Sequence, residues 1–412
     1  MCEKTIKTKV LHVVGGSLSN GAAKGANILH QALLELGIDS KLLNDTPVKT
    51  NKKKIETLDK NIIFINNNFI KRLINKIFVY SEKVLKSMYL HSPRETFTLS
   101  FFGFDITKLK AYKDADIIHI HWLNQGFINL SSLSKISKPV VWTMRDMWAF
   151  TGGSHYSMDF EKYEKSFISR IIQNFKKKSY TSKFQFIAVS NWLKDKAEKS
   201  NVLKDRNIKQ IDNNIDLKDF ELITKSDARS KLNIFTKKQI ILYGAQNPQS
   251  KRKGWDIFVQ ALNKLDKSKY FLLIFGNFWS NQILDKIGIE YKVLGYVSDK
   301  RILNATYSSS DLFVASSIED AWPKTFAEAM YCKTPVICFN KTSLSEIVDH
   351  KINGYVVENF DSNELKEGID WLSEEIKNNS SMGDNARTKV LNFDAKIIAK
   401  KYIDLYKKLT SN

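Results

Sequence analysis

Residues 311–339 read DLFVASSIEDAWPKTFAEAMYCKTPVICF, and two acids in this stretch, Asp320 and Glu328, stand where they could do chemistry. An apolar run of strand length, residues 312–315, leads into a polar, turn-like segment that holds Asp320. Pro323 suits a first helical residue, because its missing N–H costs nothing there. Thr334-Pro335 ends the helix, and residues 336–339 return as a second buried strand. A helix that opens just past a parallel strand presents free N–H groups and the positive end of its dipole at the carboxyl edge of the sheet, where phosphates bind. Pro323 cannot donate, which leaves Trp322, Lys324 and Thr325 as candidate phosphate donors. Glu328 falls on the second turn, roughly 7 Å along the axis at ~1.5 Å rise per residue, with its side chain leaning back toward the start. Such spacing suits a sugar diphosphate with a ribose behind it.

The elements that position these residues alternate strand and helix along the chain. Residues 10–14 form a strand, followed by a Gly-rich loop with Gly16, Asn20 and Gly21 and a helix through Leu36 that Gly37 stops. The G-x-G-x-x-G spacing of a dinucleotide site is missing, so a nicotinamide enzyme is weakly supported. Residues 117–121 form a buried strand on which His119 and His121 alternate onto one face. His121, at its carboxyl end, is placed to reach a cleft; His119 reads as a satisfied core histidine. Asp114-Ala115-Asp116 spells a metal-binding D-x-D but runs straight into that strand, so capping and strand entry explain it and no metal site is read. The strand at 139–143 leads into TMRDMWAFTGGSHY, which carries Arg145, Asp146 and His155. Arg145 cannot serve as a base, because its guanidinium does not give up its proton.

Further on, a strand at 240–244 ends in Gly244 and leads to Arg252-Lys253-Gly254-Trp255 and a helix. Strands follow at 271–275, 293–297 and 347–357, and a long helix at 394–409. The rhythm predicts an α/β fold of two doubly wound, Rossmann-like domains facing each other, with the hinge within 200–215.

With 412 residues and 43% apolar composition, the chain can fill two or three cores. No stretch approaches the ~18 apolar residues of a membrane span. The first residues lack a signal-peptide pattern, and three cysteines form neither a disulfide framework nor a zinc site, so a cytoplasmic protein is expected. A net charge of +20 invites nucleic acid or an anionic membrane as partner. AT-rich coding and a positive cleft for an anionic substrate would also raise the charge; no nucleic-acid module is present, so of the two partners the membrane surface is the better reading. Residues 49–92 carry Phe69, Ile70, Leu73, Ile74, Ile77, Phe78, Val84, Leu85 and Met88 at helical spacing, with Lys71, Arg72, Lys76, Lys83 and Lys86 between them. Such a helix either docks on an anionic bilayer or buries itself on the sheet with its lysines solvated, and burial is the simpler reading. Phe167, Ile168, Ile171, Ile172 and Phe175 repeat the pattern beside Arg170 and three lysines.

The arrangement of Asp320, Glu328, Ala329-Met330 and Cys332-Lys333-Thr334-Pro335-Val336 resembles the signature of the family 4 retaining glycosyltransferases of GT-B architecture. The Asp-first, Pro-containing variant, together with W-T-x-x-D-x-W-x-x-T-G-G at 142–153, is similar to the subgroup that builds surface polysaccharides. The resemblance implies that Glu328 holds the ribose hydroxyls, Asp320 faces the donor sugar and the helix start binds the diphosphate. It also places Lys253 on the diphosphate, Gly244 beside the donor, and the loop at Val297 against the nucleobase. Ala245 stands at the family's usual Arg position, so Arg252 would supply the second charge. Gly16, Asn20, Gly21, Asp146 and His155 would line the acceptor side. Arg145 stands where many members carry a His; with His121, Lys253 and Asp320 it completes the catalytic candidates.

The domains so implied are 1–205, on the acceptor side and joined by a returning helix at 394–412, and 206–393, which binds the nucleotide sugar. The activity implied is retaining, metal-independent transfer from a nucleotide-diphosphate sugar, with no cofactor, to a glycan or lipid-linked acceptor. A nucleotide-sugar epimerase of the same architecture is an alternative. So is a non-catalytic binding subunit, which the substitutions at Ala245 and Arg145 keep open.

Overall fold

A computed structural model describes residues 8–18, 21–45, 59–66, 68–89, 96–158, 161–245, 247–278, 281–379 and 381–411. The chain divides into two compact units, Met1–Asn214 with Ala395–Asn412, and Ile215–Asp394.

The first unit holds a seven-stranded parallel sheet ordered β3-β2-β1-β4-β5-β6-β7. Its strands are β1 (Lys9–Val14), β2 (Asp39–Asn44), β3 (Ile62–Phe64), β4 (Ile117–Trp122), β5 (Val140–Met144), β6 (Phe184–Ala188) and β7 (Ile208–Gln210). Helices α1 (Gly21–Glu35), α2 (Phe69–Tyr89), α3 (Lys110–Asp114), α4 (Glu161–Glu164), α5 (Phe167–Ser179) and α6 (Asn191–Glu198) connect them. Central strands such as β5, buried at every residue, read as unbroken apolar runs because helices cover both faces.

The second unit repeats the plan with six parallel strands ordered β10-β9-β8-β11-β12-β13. These are β8 (Gln239–Gly244), β9 (Tyr270–Phe275), β10 (Tyr291–Val293), β11 (Leu312–Ala315), β12 (Val336–Phe339) and β13 (Gly354–Val357). Its helices are α7 (Lys225–Lys231), α8 (Trp255–Leu262), α9 (Lys300–Ser308), α10 (Lys324–Tyr331), α11 (Ser362–Asn378) and α12 (Ser381–Leu391). Phe258 and Leu262 of α8 and Leu365, Ile369 and Leu372 of α11 pack on Ile241, Leu272 and Val314 of one sheet face. Tyr307 of α9 meets the Phe275 ring on the other.

A final helix, α13 (Ala395–Thr410), belongs to the first unit, where Ile398, Tyr402 and Tyr406 pack with Leu29 and Leu33 of α1. The boundary falls after Asn214 and not at 205, because β7 pairs with β6 and so ties residues 208–210 to the first sheet.

Two strands are shorter than their sequences suggest. The expected strand at 293–297 stops at Val293: Leu294 still donates to Ile274, but Gly295 turns to φ +69 and its carbonyl receives the Gly276 N–H. Of residues 347–357 only Gly354–Val357 pairs with β12, since Asp349 and Asn353 close a turn before it.

The packing of β8 and β11 side by side brings their following loops together at Gly254, which has φ +65. A Cβ there would lie 2.0 Å from the Ser316 carbonyl oxygen. Gly254→Ala should therefore cost on the order of 2–4 kcal/mol, from left-handed strain plus the clash. A denaturant midpoint equal to that of the wild type would show that the two loops can part freely.

Candidate functional site

Strand order reverses between β8 and β11, and in open parallel sheets ligands bind outside the carboxyl ends of the strands at such a switch point. The loops at 245–254 and 316–323 leave the sheet there. They are stitched by the Ser316 hydroxyl donating to the Lys253 carbonyl (2.9 Å) and by the Ile318 and Glu319 N–H groups donating to the Arg252 carbonyl (2.7 and 3.3 Å).

The stitching brings Lys253 Nζ into an ion pair with Asp320 Oδ2, with Arg252 Nη1 3.7 Å from the same oxygen. All three side chains are largely buried. Burial alone would raise the Asp320 carboxyl, but Lys253 and then Arg252 outweigh it and hold it below its ordinary value. Asp320 is therefore a carboxylate at neutral pH.

Asp320 Oδ1 also accepts the Trp322 N–H at 3.2 Å, so this expected phosphate donor is turned to the carboxylate instead. Pro323 is the residue before the helix and not its first turn: at φ −78 and ψ 121 it is extended, and α10 opens at Lys324. Lys324 and Thr325 remain the N–H groups at the helix start. Glu328, buried on α10, accepts a hydrogen bond from the Tyr307 hydroxyl at 2.8 Å. Burial and then Glu328 push that phenol well above its usual value, so Tyr307 stays a donor. Gly244 was expected beside the donor; its missing side chain is explained by the Phe275 ring, which a Cβ would meet at 2.0 Å. Val297 lies half-buried in the loop past Gly295.

In the first unit the switch point lies between β1 and β4. Gly16, at φ +89, donates its N–H to Asp45 (2.8 Å) and accepts from the Asn44 amide (2.9 Å). Gly21 starts α1, while Asn20 lies outside the described residues.

His121 does not reach outward as its place at a strand end suggested. It is buried, its Nε2 2.9 Å from His12 Nδ1, beneath Arg145, whose Nε donates to its Nδ1 at 3.4 Å. His119 is bonded to Tyr406 and Thr143, as a core histidine would be. Burial pushes all three imidazoles well below their usual value, so they are neutral. Their nitrogens lie within 4.8 Å of one another, close enough for a metal. However, His119 has both ring nitrogens engaged, and the Arg145 charge adjoins the cluster. Arg145 itself donates to Asn213 and Asn214, and burial lowers it to about 10, still a cation.

Asp146 and His155 do come together, Oδ2 to Nδ1 at 2.7 Å, while Asp146 Oδ1 accepts the Trp148 N–H. Their loop is held by Lys176 of α5, fully buried, whose ammonium donates to the Trp148 and Thr151 carbonyls and lies 3.6 Å from the Trp148 ring centre. Burial pushes Lys176 down to about 7 against the pull of Glu164 and Asp146. His12 and Tyr307 have no motif around them, so sequence reading passed over them; Lys176, read as one of three lysines beside an apolar stripe, is buried instead. The only trace is a polar residue interrupting an apolar stripe.

Two doubly wound parallel sheets in one chain, the second with a cation–acid cluster at its switch point, define a two-domain α/β protein with Rossmann-like halves. A model described as Glycosyltransferase Family 4 matches residues 19–219, and one described as Glycosyl transferases group 1 matches residues 224–389. Laid end to end, the two make the chain a glycosyltransferase of GT-B architecture and family 4 type.

The chain is 24% identical over 291 residues, 69% of its length and 77% of the other, to an uncharacterized 41.2 kDa protein in the cps region of Klebsiella pneumoniae. It is 23% identical over 160 residues, 39% of its length and 43% of the other, to the N,N'-diacetylbacillosaminyl-diphospho-undecaprenol alpha-1,3-N-acetylgalactosaminyltransferase of Campylobacter jejuni. Its fold is similar to that of HepE from Anabaena, crystallised with UDP and glucose, at a TM-score of 0.68 and 16% identity, covering 97% of this chain and 99% of that one.

The position of Lys176 has a consequence for pH. Its folded value near 7 lies below the ~10.4 of an exposed lysine, so the unfolded chain binds the extra proton between those values. Its contribution to stability therefore rises with pH across that window. Relative to Lys176→Met, the wild type should gain up to about 1.4 kcal/mol per pH unit between about pH 7 and 9 in denaturant unfolding. A constant or narrowing gap would show that the carbonyls and Trp148 keep the ammonium charged in the fold.

Proposed function

We propose that this glycosyltransferase is a retaining one that takes a sugar from a nucleotide-diphosphate donor and passes it to a glycan or lipid-linked acceptor in surface polysaccharide synthesis. The observation that carries the reading is the cluster of Lys253, Arg252 and Asp320 beside the start of α10, with Glu328 one turn further on, at the carboxyl edge of β8 and β11. The relatives' names support the remainder: one protein of a cps region, one transferase whose acceptor is undecaprenol-linked and one fold neighbour holding UDP and glucose.

In this reading Glu328, aimed by Tyr307, accepts from the ribose hydroxyls, and the N–H groups of Lys324 and Thr325 meet the diphosphate. When the bond from the anomeric carbon to the diphosphate oxygen breaks, its electron pair leaves with the phosphate. Lys253 and Arg252 offset that charge, the task a metal ion performs elsewhere, so no cofactor is required. The acceptor oxygen bonds to the anomeric carbon on the face the diphosphate leaves, and its proton passes to a departing phosphate oxygen, so the configuration is kept. Asp320, kept ionised by the two cations, turns toward the sugar as the diphosphate takes over its partners. Arg145, charged and fixed by Asn213, orients the acceptor or phosphate but moves no proton. His121 lies too deep to touch either substrate.

Thermal-shift screening with nucleotides and nucleotide sugars tests the reading, since a ligand at ~100 times its dissociation constant stabilises by about 2.7 kcal/mol. Glu328→Ala should abolish the shift given by a nucleoside diphosphate, because the ribose loses a charged acceptor. Unchanged affinity would sink the assignment.

With a donor in hand, Lys253→Ala should lower turnover more than donor affinity. A loss confined to ground-state binding would make Lys253 an anchor only. The product's anomeric configuration by NMR should match the donor's, and activity should survive chelation by EDTA. Free sugar or an epimer released without acceptor would point instead to an epimerase.

A further inference from the structure

Helix α2 is apolar on two sides. Inward, Ile74 and Phe78 are half-buried, Phe78 against Phe104, and Leu85 joins Phe97, Leu99 and Ile172 in a small core. Outward, Phe69, Ile70, Leu73, Ile77, Tyr80 and Val84 are 75, 67, 50, 55, 69 and 41% exposed. From Ile70 on they alternate in steps of three and four, which at ~100° per residue keeps them in one stripe roughly 100° wide. This corrects the simpler sequence reading, in which the helix buried these residues on the sheet; residues 49–58 and 90–92 of that pattern lie outside the described residues.

Exposed Arg72, Lys76 and Lys83 edge the stripe. The one acid of α2, Glu82, points inward and accepts the N–H groups of Leu99, Phe101 and Phe102. Helix α5 shares the same small core through Ile168 and Ile172. It shows Phe167 (76% exposed) and Ile171 (49%) outward beside Arg170 and Lys178 and has no acid of its own, though its Lys177 pairs with Asp205. Two neighbouring helices thus present apolar side chains and only positive charge. A soluble surface has no use for such a patch.

We propose that the outward faces of α2 and α5 form a docking surface for an anionic lipid bilayer. Like charge on both helices disfavours pairing with a second copy and suits phosphate-bearing headgroups, with the apolar stripe sinking to the headgroup boundary. The inward faces of these helices hold the loop of Asp146 and His155. Lys176 of α5 binds the Trp148 and Thr151 carbonyls, and the segment gripped by Glu82 directly follows Thr98, whose carbonyl accepts the Trp148 indole and whose N–H donates to the Gly153 carbonyl. The docked surface therefore backs the loop assigned to the acceptor, which makes a lipid-linked acceptor the fitting substrate; this last link alone rests on the function proposed above.

Co-sedimentation of the full chain with phosphatidylcholine vesicles, with and without phosphatidylglycerol, tests the surface. The wild type should sediment only with phosphatidylglycerol, and raising salt from about 0.1 to about 1 M should release it as the screening length falls from ~10 to ~3 Å. Replacing Arg72, Lys76 and Lys83 by Glu should weaken the partition roughly a hundredfold or more, at ~1 kcal/mol for each cation lost. Leu73→Asp with Ile77→Asp should do the same, and both variants should melt as the wild type does, because the changed side chains are exposed. Wild type left in the supernatant at low salt, or charge-reversed protein that still sediments, would overturn the proposal. So would a wild-type dimer that Leu73→Asp with Ile77→Asp splits in light scattering, which would make the face a contact between copies. The assay uses no nucleotide, so its failure leaves the donor site standing, and a failed nucleotide screen leaves the vesicle result standing.

Discussion

A buried ion pair holds together the loops at the carboxyl edge of the second unit's sheet. Lys253 and Asp320 are taken out of water on different loops, and such a burial is tolerated only where geometry and further hydrogen bonds compensate both charges. Arg252 adds a second cation at 3.7 Å, and the Trp322 N–H occupies the other carboxylate oxygen. The last bond reaches two residues along the chain, a reach that suits the short side chain of Asp better than Glu. The same carboxylate thus fixes the cations and shapes the chain into α10. Because the two cations are already held, an anion arriving at this edge need not gather them; it has only to compete with Asp320.

What the sequence made legible was local. The strand–loop–helix–strand unit around Asp320 and Glu328 follows from apolar runs, Pro punctuation and turn residues, all read within a few positions, and the two doubly wound sheets follow from the repetition of such units. The misreadings arise where a distant contact decides. The 293–297 run is apolar enough for a strand, but Gly295 bends away to take the Gly276 N–H. Residues 206–214 sit with the first unit because β7 finds β6, a pairing no local pattern announces. Trp322 looked like a phosphate donor until the carboxylate of Asp320 claimed its N–H. Tyr307 and Glu328 meet from different helices across 21 positions, so neither predicts the other.

The histidines of the first unit show the same division. Parallel pairing sets His12 directly opposite His119, and His121 stacks on His119 one alternation further along β4. Strands buried on both faces lose the polar–apolar alternation that would have marked His12 as exceptional. Desolvation then keeps the rings neutral, and the cation beside them, Arg145, is tied to Asn213 and Asn214 at the end of the first unit. A histidine at position 145 would carry no permanent charge. An arginine keeps a full positive charge at the carboxyl end of β5 and has the reach to bind the chain leaving β7.

The two amphipathic helices carry this reasoning to the surface. The inward side of α2 suffices to anchor it, since Glu82 satisfies backbone N–H groups at 99–102 and Leu85 fills the core beside Ile172. Polar residues on its outward side would serve the fold as well, and a free surface gives no reason for Ile70, Leu73 and Ile77 to be apolar. Burying the half to two thirds of each that is exposed would contribute roughly 1–2 kcal/mol, a gain that only an outside apolar medium or partner can supply. Charge then decides between these, because a face whose single acid has been turned inward repels its own copy and attracts an anionic surface. Periodicity alone could not separate the two sides, for both repeat at helical spacing. The position of Glu82 could: an acid isolated within a basic apolar helix has to be satisfied, and the side on which it is satisfied is the side facing the protein.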